Sequence, residues 1–187
     1  MLDSFNQTEV PYDDTQTIVS LFRKQATETP DNLAVVYHDV RLTYKEVDER
    51  TDAIAAKIYE MVHGTCPNGK SEQVVSILIN RSEWMVVASL AALKAGCAYQ
   101  PLDPSYPAER LNFMMKDANA ALLIAEEDLR PIVNEYSGPV LLTKELKSVS
   151  PKDGLSAKRS NKALGFIHPP LYLRLHRCAE RLPTRAS

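Results

Sequence analysis

Apolar and polar residues alternate along this chain with two periods, and the two periods take turns. Over Thr17 to Thr27, Ile18, Leu21, Phe22 and Gln25-Ala26 form one face at helical spacing, and Thr29-Pro30 ends the element. Leu33 to Tyr37 is a short β run, and His38-Asp39 to Arg41 reads as a turn into Leu42. Thr43 and Glu46 have the spacing of a capping box, in which hydroxyl and carboxylate each serve exposed backbone N–H groups. The helix after them carries Val47, Ile54, Ile58 and Met61 on one face and stops near Gly64, with a loop over Thr65 to Ser71. Val74 to Ile79 is continuously apolar, as in a parallel strand covered on both sides.

Ser82 is placed to cap the next helix, which reaches Ala95, with Trp84, Val86, Val87 and Leu90 facing the core. Gly96 can take the left-handed conformation beyond that helix end, and Lys94 suits the negative end of its dipole. Pro101, Pro104 and Pro107 predict an extended, turn-rich connector, with Pro107 opening a helix over Ala108 to Asp117 in which Leu111, Met114 and Met115 are apolar. A strand over Ala121 to Ala125, a helix over Glu126 to Tyr136 interrupted by Pro131, and a strand over Val140 to Leu142 follow. Strand and helix in alternation predict an α/β fold: a mostly parallel sheet with flanking helices and right-handed crossovers. Beyond about Val149 neither period continues.

Composition narrows this picture only slightly. The 187 residues suit one domain, and 44% apolar with 25% charged residues is ordinary for a globular protein. The net charge of −2 is uneven, because residues 158–187 carry seven Lys/Arg against Glu180 alone. A basic tail can signal an RNA or anionic partner, but other features of that tail, given below, argue against nucleic acid. Cys66, Cys97 and Cys178 lack metal-ligand spacing and read as reduced thiols, so a cytoplasmic location is expected. Met1-Leu2-Asp3-Ser4 has neither the basic start nor the apolar core of a signal peptide. The charge-free run from Trp84 to Leu93 is too short to span a bilayer, so no membrane partner is expected.

The local candidates for chemistry have plainer readings. Asp13-Asp14, Asp48-Glu49 and Glu126-Glu127-Asp128 could bind metal or move protons, yet they fall at helix starts or on exposed faces and read as solvated surface. His38, His63, His168 and His176 are isolated; His176 with Cys178 lacks further ligands. Gly64, Gly69 and Lys70 have the wrong spacing for a phosphate loop. Ser82, Cys97 and Ser105 have no base beside them in sequence.

One longer string carries more. Leu93-Lys94-Ala95-Gly96-Cys97-Ala98-Tyr99-Gln100-Pro101-Leu102-Asp103-Pro104-Ser105-Tyr106-Pro107-Ala108-Glu109-Arg110-Leu111 closely resembles the second core motif of amino-acid adenylation domains of nonribosomal peptide synthetases. Thr29 to Val36 and Leu42 to Asp48 are similar to the family's opening strand and first core motif, and Phe5 to Tyr12 to the lead-in before it. The resemblance implies a lead-in over 1–14, part of an adenylate-forming (AMP-dependent synthetase/ligase) domain over 15–149, and an irregular tail over 150–187. In that family a large α/β N-terminal domain and a small mobile C-terminal domain use ATP and Mg²⁺ to make an aminoacyl adenylate. The acyl group then passes to the phosphopantetheine thiol of a carrier protein. Most of the family's contacts to ATP, magnesium and amino acid lie C-terminal to this stretch, so no catalytic, cofactor-binding or metal residue is assigned, and the segment Gly96 to Arg110 is expected to be scaffold.

The family's next landmark is a Tyr-Thr-Ser-Gly-Ser/Thr-Thr-Gly-x-Pro-Lys-Gly loop, whose backbone N–H groups close around phosphates. In its place stands Leu171-Tyr172-Leu173-Arg174-Leu175-His176-Arg177-Cys178-Ala179-Glu180-Arg181-Leu182. Codons permitted for these residues, read one base displaced, spell Tyr-Thr-Ser-Gly-Ser-Thr-Gly-Val-Pro-Lys-Gly without a break. The expectation is a reading frame displaced between about Val149 and Leu171, which accounts at once for the basic tail and the lost periodicity. A fragment inactive by itself follows. The alternatives are part of a D-alanine–carrier-protein ligase, which the lead-in disfavours, and a non-catalytic remnant or interaction protein.

Overall fold

A computed structural model describes residues 16–63 and 73–148. The lead-in, Cys66, the loop with Gly64, Gly69 and Lys70, and the tail with its displaced string lie outside the described residues.

Helix α1 (Ile18–Glu28) precedes a hairpin of β1 (Leu33–Tyr37) and β2 (Val40–Thr43), then helix α2 (Tyr44–His63). Strand β3 (Val74–Leu78), helix α3 (Glu83–Lys94), strand β4 (Ala98–Leu102), helix α4 (Ala108–Asp117) and strand β5 (Leu122–Ala125) follow. A 3₁₀ turn over Arg130–Val133 leads to β6 (Val140–Leu142) and the short α5 (Thr143–Ser148). The hairpin is antiparallel, whereas the main sheet has the order β4-β3-β5-β6 with all its pairings parallel. An α/β fold with a mostly parallel sheet is therefore what the chain adopts.

Residues alternate across this sheet. Val75, Ile77, Leu122, Ile124 and Leu141 join α2, α3 and α5 in one core of 21 buried residues that includes Ile54, Ile58, Val87 and Ala91. Leu78, Leu102, Leu123 and Ala125 join Leu111, Met115 and Val133 in a second core of seven beneath α4 and the 3₁₀ turn. Both long crossover helices end in the same way. Gly96 takes φ 77° while its N–H reaches Leu93 and that of Cys97 reaches Ala92, and Asn119 takes φ 48° with its N–H on Lys116 and that of Ala120 on Met115. These paired bonds make a Schellman motif at each end, and each returns the chain into the sheet, where the Ala98 N–H meets Gln73 and that of Ala121 meets Val74.

Several expectations need correction. The turn assigned to His38–Arg41 is narrower, because Val40 and Arg41 already pair with Tyr37 and Val36 in β2. The connector after Gly96 contains a true strand, β4. Pro101 is tolerated there because β4 is an edge strand and the exposed proline sits where the missing N–H leaves no inner bond unmade. Pro107 holds the N-cap rather than the first helical position. The helix drawn over Glu126–Tyr136 shrinks to one 3₁₀ turn, held by the Arg130 guanidinium on the carbonyls of Val133 (2.8 Å) and Tyr136 (3.0 Å). Val86 points outward, and Ser82 occupies the N-cap of α3 without its hydroxyl accepting a cap bond.

Candidate functional site

A parallel sheet offers ligands one favoured place: the crevice outside the carboxyl ends of its strands, where successive connections leave in opposite directions. Here the chain runs from β3 to β4 on one side and returns over β3 to β5 on the other, so that crevice lies between the ends of β3 and β5.

The residues there are occupied with one another. Asn80, just after β3, donates its backbone N–H to Glu126 Oε1 (3.2 Å) and its side-chain Nδ2 to Glu126 Oε2 (2.6 Å). Both oxygens of the carboxylate are thus engaged across the switch point. Beyond β4, Asp103 Oδ1 accepts the Ser105 N–H (2.9 Å), which holds the Asp103 carboxyl below its usual range and fixes the Asp103–Tyr106 turn. Beyond β5, Glu127 accepts the Lys144 N–H (3.1 Å) and the Thr143 hydroxyl (3.3 Å), capping α5. Its own backbone N–H, together with these donors, holds the Glu127 carboxyl below its usual range in the same way. Ser82 turns its hydroxyl back to the Asn80 carbonyl (3.3 Å).

This arrangement fastens strand ends; it does not assemble a nucleophile with a base. The acids at the edge serve as acceptors for nearby protein donors, so the described part of the edge does not fit a polyphosphate with its metal ion, and no reaction step is routed through it. Among the described residues, no group of three or more His, Cys, Asp or Glu could hold a metal ion. Cys97 is buried, and desolvation pushes its thiol up to about 11, far from a reactive thiolate. His38 sits in the hairpin turn at φ 49°, edge-on to the Tyr37 ring. Among the described residues, no helix is long and apolar enough to cross a membrane.

The acids read as solvated surface divide. Glu126 and Glu127 are partnered across the strand ends. Asp48 belongs to a cluster that sequence reading missed: Lys94, its side chain 1% exposed, donates to Asp48 Oδ1 (2.6 Å), Asp52 Oδ1 (2.8 Å) and the Asp48 carbonyl (3.1 Å). Arg23 reaches the same Asp52 oxygen at 2.9 Å. Lys94 is therefore more than a dipole partner at the end of α3. The signal available was the i,i+4 pair Asp48/Asp52 flanking the inward-facing Val47 and Thr51.

The comparisons with known proteins agree with the fold. The family model for AMP-binding enzymes matches residues 22–169. Gramicidin S synthase 2 of Brevibacillus brevis is 36% identical over 145 residues, covering 78% of this chain and 3% of its own length. Tyrocidine synthase 3 of Brevibacillus parabrevis is 38% identical over 137 residues, covering 73% of this chain and 2% of its own. The chain thus spans only a few per cent of the curated relatives it matches. Among solved structures, the nonribosomal peptide synthetase FmoA3 superposes with TM-score 0.66 at 25% identity, over 80% of this chain and 16% of that one. FmoA3 has also been solved with AMPPNP bound and with alpha-methyl-L-serine-AMP bound.

Proposed function

Since the chain belongs to the AMP-binding enzyme family, as an N-terminal portion of a nonribosomal peptide synthetase adenylation domain, we propose that it is the scaffold half of an amino-acid-activating ligase. The intact relative would join an amino acid to AMP from ATP, with Mg²⁺, and load it on the phosphopantetheine thiol of a carrier protein. The polypeptide described by this sequence is inactive alone. The observation that carries this reading is a boundary: the family match ends at residue 169, and at Leu171 begins the string that spells the glycine loop only when read one base out of frame. The nucleotide-bound forms of FmoA3 support ATP and an amino acid as the intact relative's substrates.

The test has two parts. ATP–pyrophosphate exchange with mixed amino acids should give no signal above buffer, and robust exchange overturns the assignment of inactivity. Sequencing the DNA across residues 149–187 should show an open displaced frame encoding the glycine loop; a closed frame there removes the displacement.

A further inference from the structure

Helix α1 differs from every other long helix in how it is held. It is complete in itself: Thr17 and Ser20 make a reciprocal capping box, and at the far end the Thr29 N–H reaches the Gln25 carbonyl (2.9 Å) while Gln25 Nε2 reaches Thr29 Oγ1 (2.6 Å). It is also poorly buried. Ala26 is its single buried residue, whereas Ile18 and Leu21 remain 65% and 50% exposed. Among the contacts that join it to α2 and α3 are Phe22, tilted against Tyr44 at 5.6 Å and lying 5.6 Å from Lys94 Nζ, and the Arg23–Asp52 ion pair.

The charges explain why that pair matters. Asp48, Asp52 and Lys94 come from α2 and α3 and together carry −1 in a partly enclosed space, with Lys94 1%, Asp52 12% and Asp48 29% exposed. An uncompensated charge out of bulk water is costly, and the Arg23 guanidinium brings the cluster to zero. We infer that α1 is an electrostatic latch: a preformed helix that docks and undocks as a unit, set by Arg23 closing the Asp48–Asp52–Lys94 cluster, while α2 and α3 stay folded. The cluster keeps its Lys94 when α1 leaves, so undocking opens a local state and not a global one. Salt should favour that state, because Arg23 is 30% exposed and its attraction is open to screening.

Hydrogen exchange on the full chain tests this, read separately for α1, α2 and α3 at low salt and at about 1 M salt. Amides of α1 should exchange at least tenfold faster than those of α2 and α3, and faster still in salt. Arg23→Met keeps the apolar stem and removes the charge; it should speed α1 exchange about tenfold and leave α3 unchanged. Lys24→Met, which breaks only the exposed Lys24–Glu28 pair within α1, is the control and should change exchange less than twofold. The latch is ruled out if α1 exchanges in step with α2 and α3, or if Arg23→Met does no more than Lys24→Met. Loss of protection in all three helices of Arg23→Met would equally overturn it, by making the cluster a global support. None of these outcomes depends on adenylation, so a failed exchange assay and a failed latch are distinguishable.

Discussion

The two faces of the four-stranded sheet are built by different means. Against α2, α3 and α5 lies a continuous apolar core in which Val75, Ile77, Ile124 and Leu141 meet Ile54, Ile58, Val87 and Ala91, all essentially without exposure. Against α4 the apolar core is a third as large, and hydrogen bonds complete it: Ser76 Oγ donates to Gln100 Oε1 (2.7 Å), and Gln100 Nε2 to the Met114 carbonyl of α4 (3.2 Å). The same face leaves Asn112 Oδ1 buried without a partner among the described residues and Phe113 56% exposed. Dispersion and water exclusion are non-directional and hold the first face wherever volume is filled. The second relies on directional bonds that fix how α4 lies. Charge follows the division as well, since the Asp48–Asp52–Lys94 cluster sits at the rim of the apolar face, tying α2 to α3.

Adjacent residues of β5 make the sharpest test, because Leu123 and Ile124 are isomers of one size that enter opposite faces. Ile124→Ala opens a cavity among the 21 residues beneath α2 and α3, where backbone elements on all sides resist collapse. A loss of about 4 kcal/mol is expected. Leu123→Ala opens one beneath α4 and the 3₁₀ turn, a thinner layer able to relax, and should cost about 2 kcal/mol. Denaturant unfolding of both variants decides it; equal losses would erase the asymmetry between faces.

Next in size is the buried cation. Lys94→Ala leaves Asp48 and Asp52 facing each other with Arg23 as their remaining cation, and about 3 kcal/mol of stability should go. The same substitution in an Asp48→Asn/Asp52→Asn background should cost clearly less, since it then leaves no carboxylate without its cation. If the two costs match, Lys94 acts through packing of its stem and not through charge.

On the hydrogen-bonded face, Gln100→Leu keeps the volume and strands the Ser76 hydroxyl, for an expected loss of about 2 kcal/mol. Ser76→Ala added to Gln100→Leu should restore part of it, because the donor left without an acceptor is gone. No recovery would mean that α4 is positioned by its apolar residues alone.

How much of this was legible beforehand depended on whether local and tertiary forces agreed. Helices α2 and α4 and strands β3, β5 and β6 announced themselves, since their apolar patterns match the surfaces they bury, whereas α1 and β1 were legible from pattern alone and leave Ile18, Leu21, Leu33 and Val36 exposed. Strand β4 was hidden by Pro101, a residue that forbids an inner strand but not an edge, and the edge is a property of the finished sheet. The segment after β5 carries Leu129, Ile132, Val133 and Tyr136 at helical spacing, yet Glu126 is drawn to Asn80 and Glu127 to the start of α5, leaving room for one 3₁₀ turn. The same long-range bonds decide the carboxyl edge, which is why its acids looked like solvated surface. The Lys94 cluster joins residues more than forty positions apart, and α1 adds a fourth charge, Arg23, 29 positions before the Asp52 it meets. Nothing local in the sequence says that Lys94 is inside.

The smallest effect belongs to neither face and so calibrates both. At the start of α2, the Glu46 carboxylate accepts the Thr43 N–H (2.8 Å) and hydroxyl (3.1 Å), while the Glu46 N–H reaches Thr43 Oγ1 (3.3 Å). The cap is exposed and anticipated from sequence. Thr43→Ala should cost about 1 kcal/mol. Those bonds from Thr43, its backbone N–H foremost, hold the Glu46 acid below its ordinary range. A lowered folded value means that stability is present above the unfolded value of about 4.3 and is lost as pH falls through the folded one. The gap between parent and Thr43→Ala should therefore be constant near neutrality and narrow in acid. Unfolding curves near neutrality and at about pH 3 measure it. A gap that persists unchanged in acid would mean that the Thr43 hydroxyl acts through the Glu46 N–H and not through the carboxylate, whose bond to the backbone N–H of residue 43 both proteins keep.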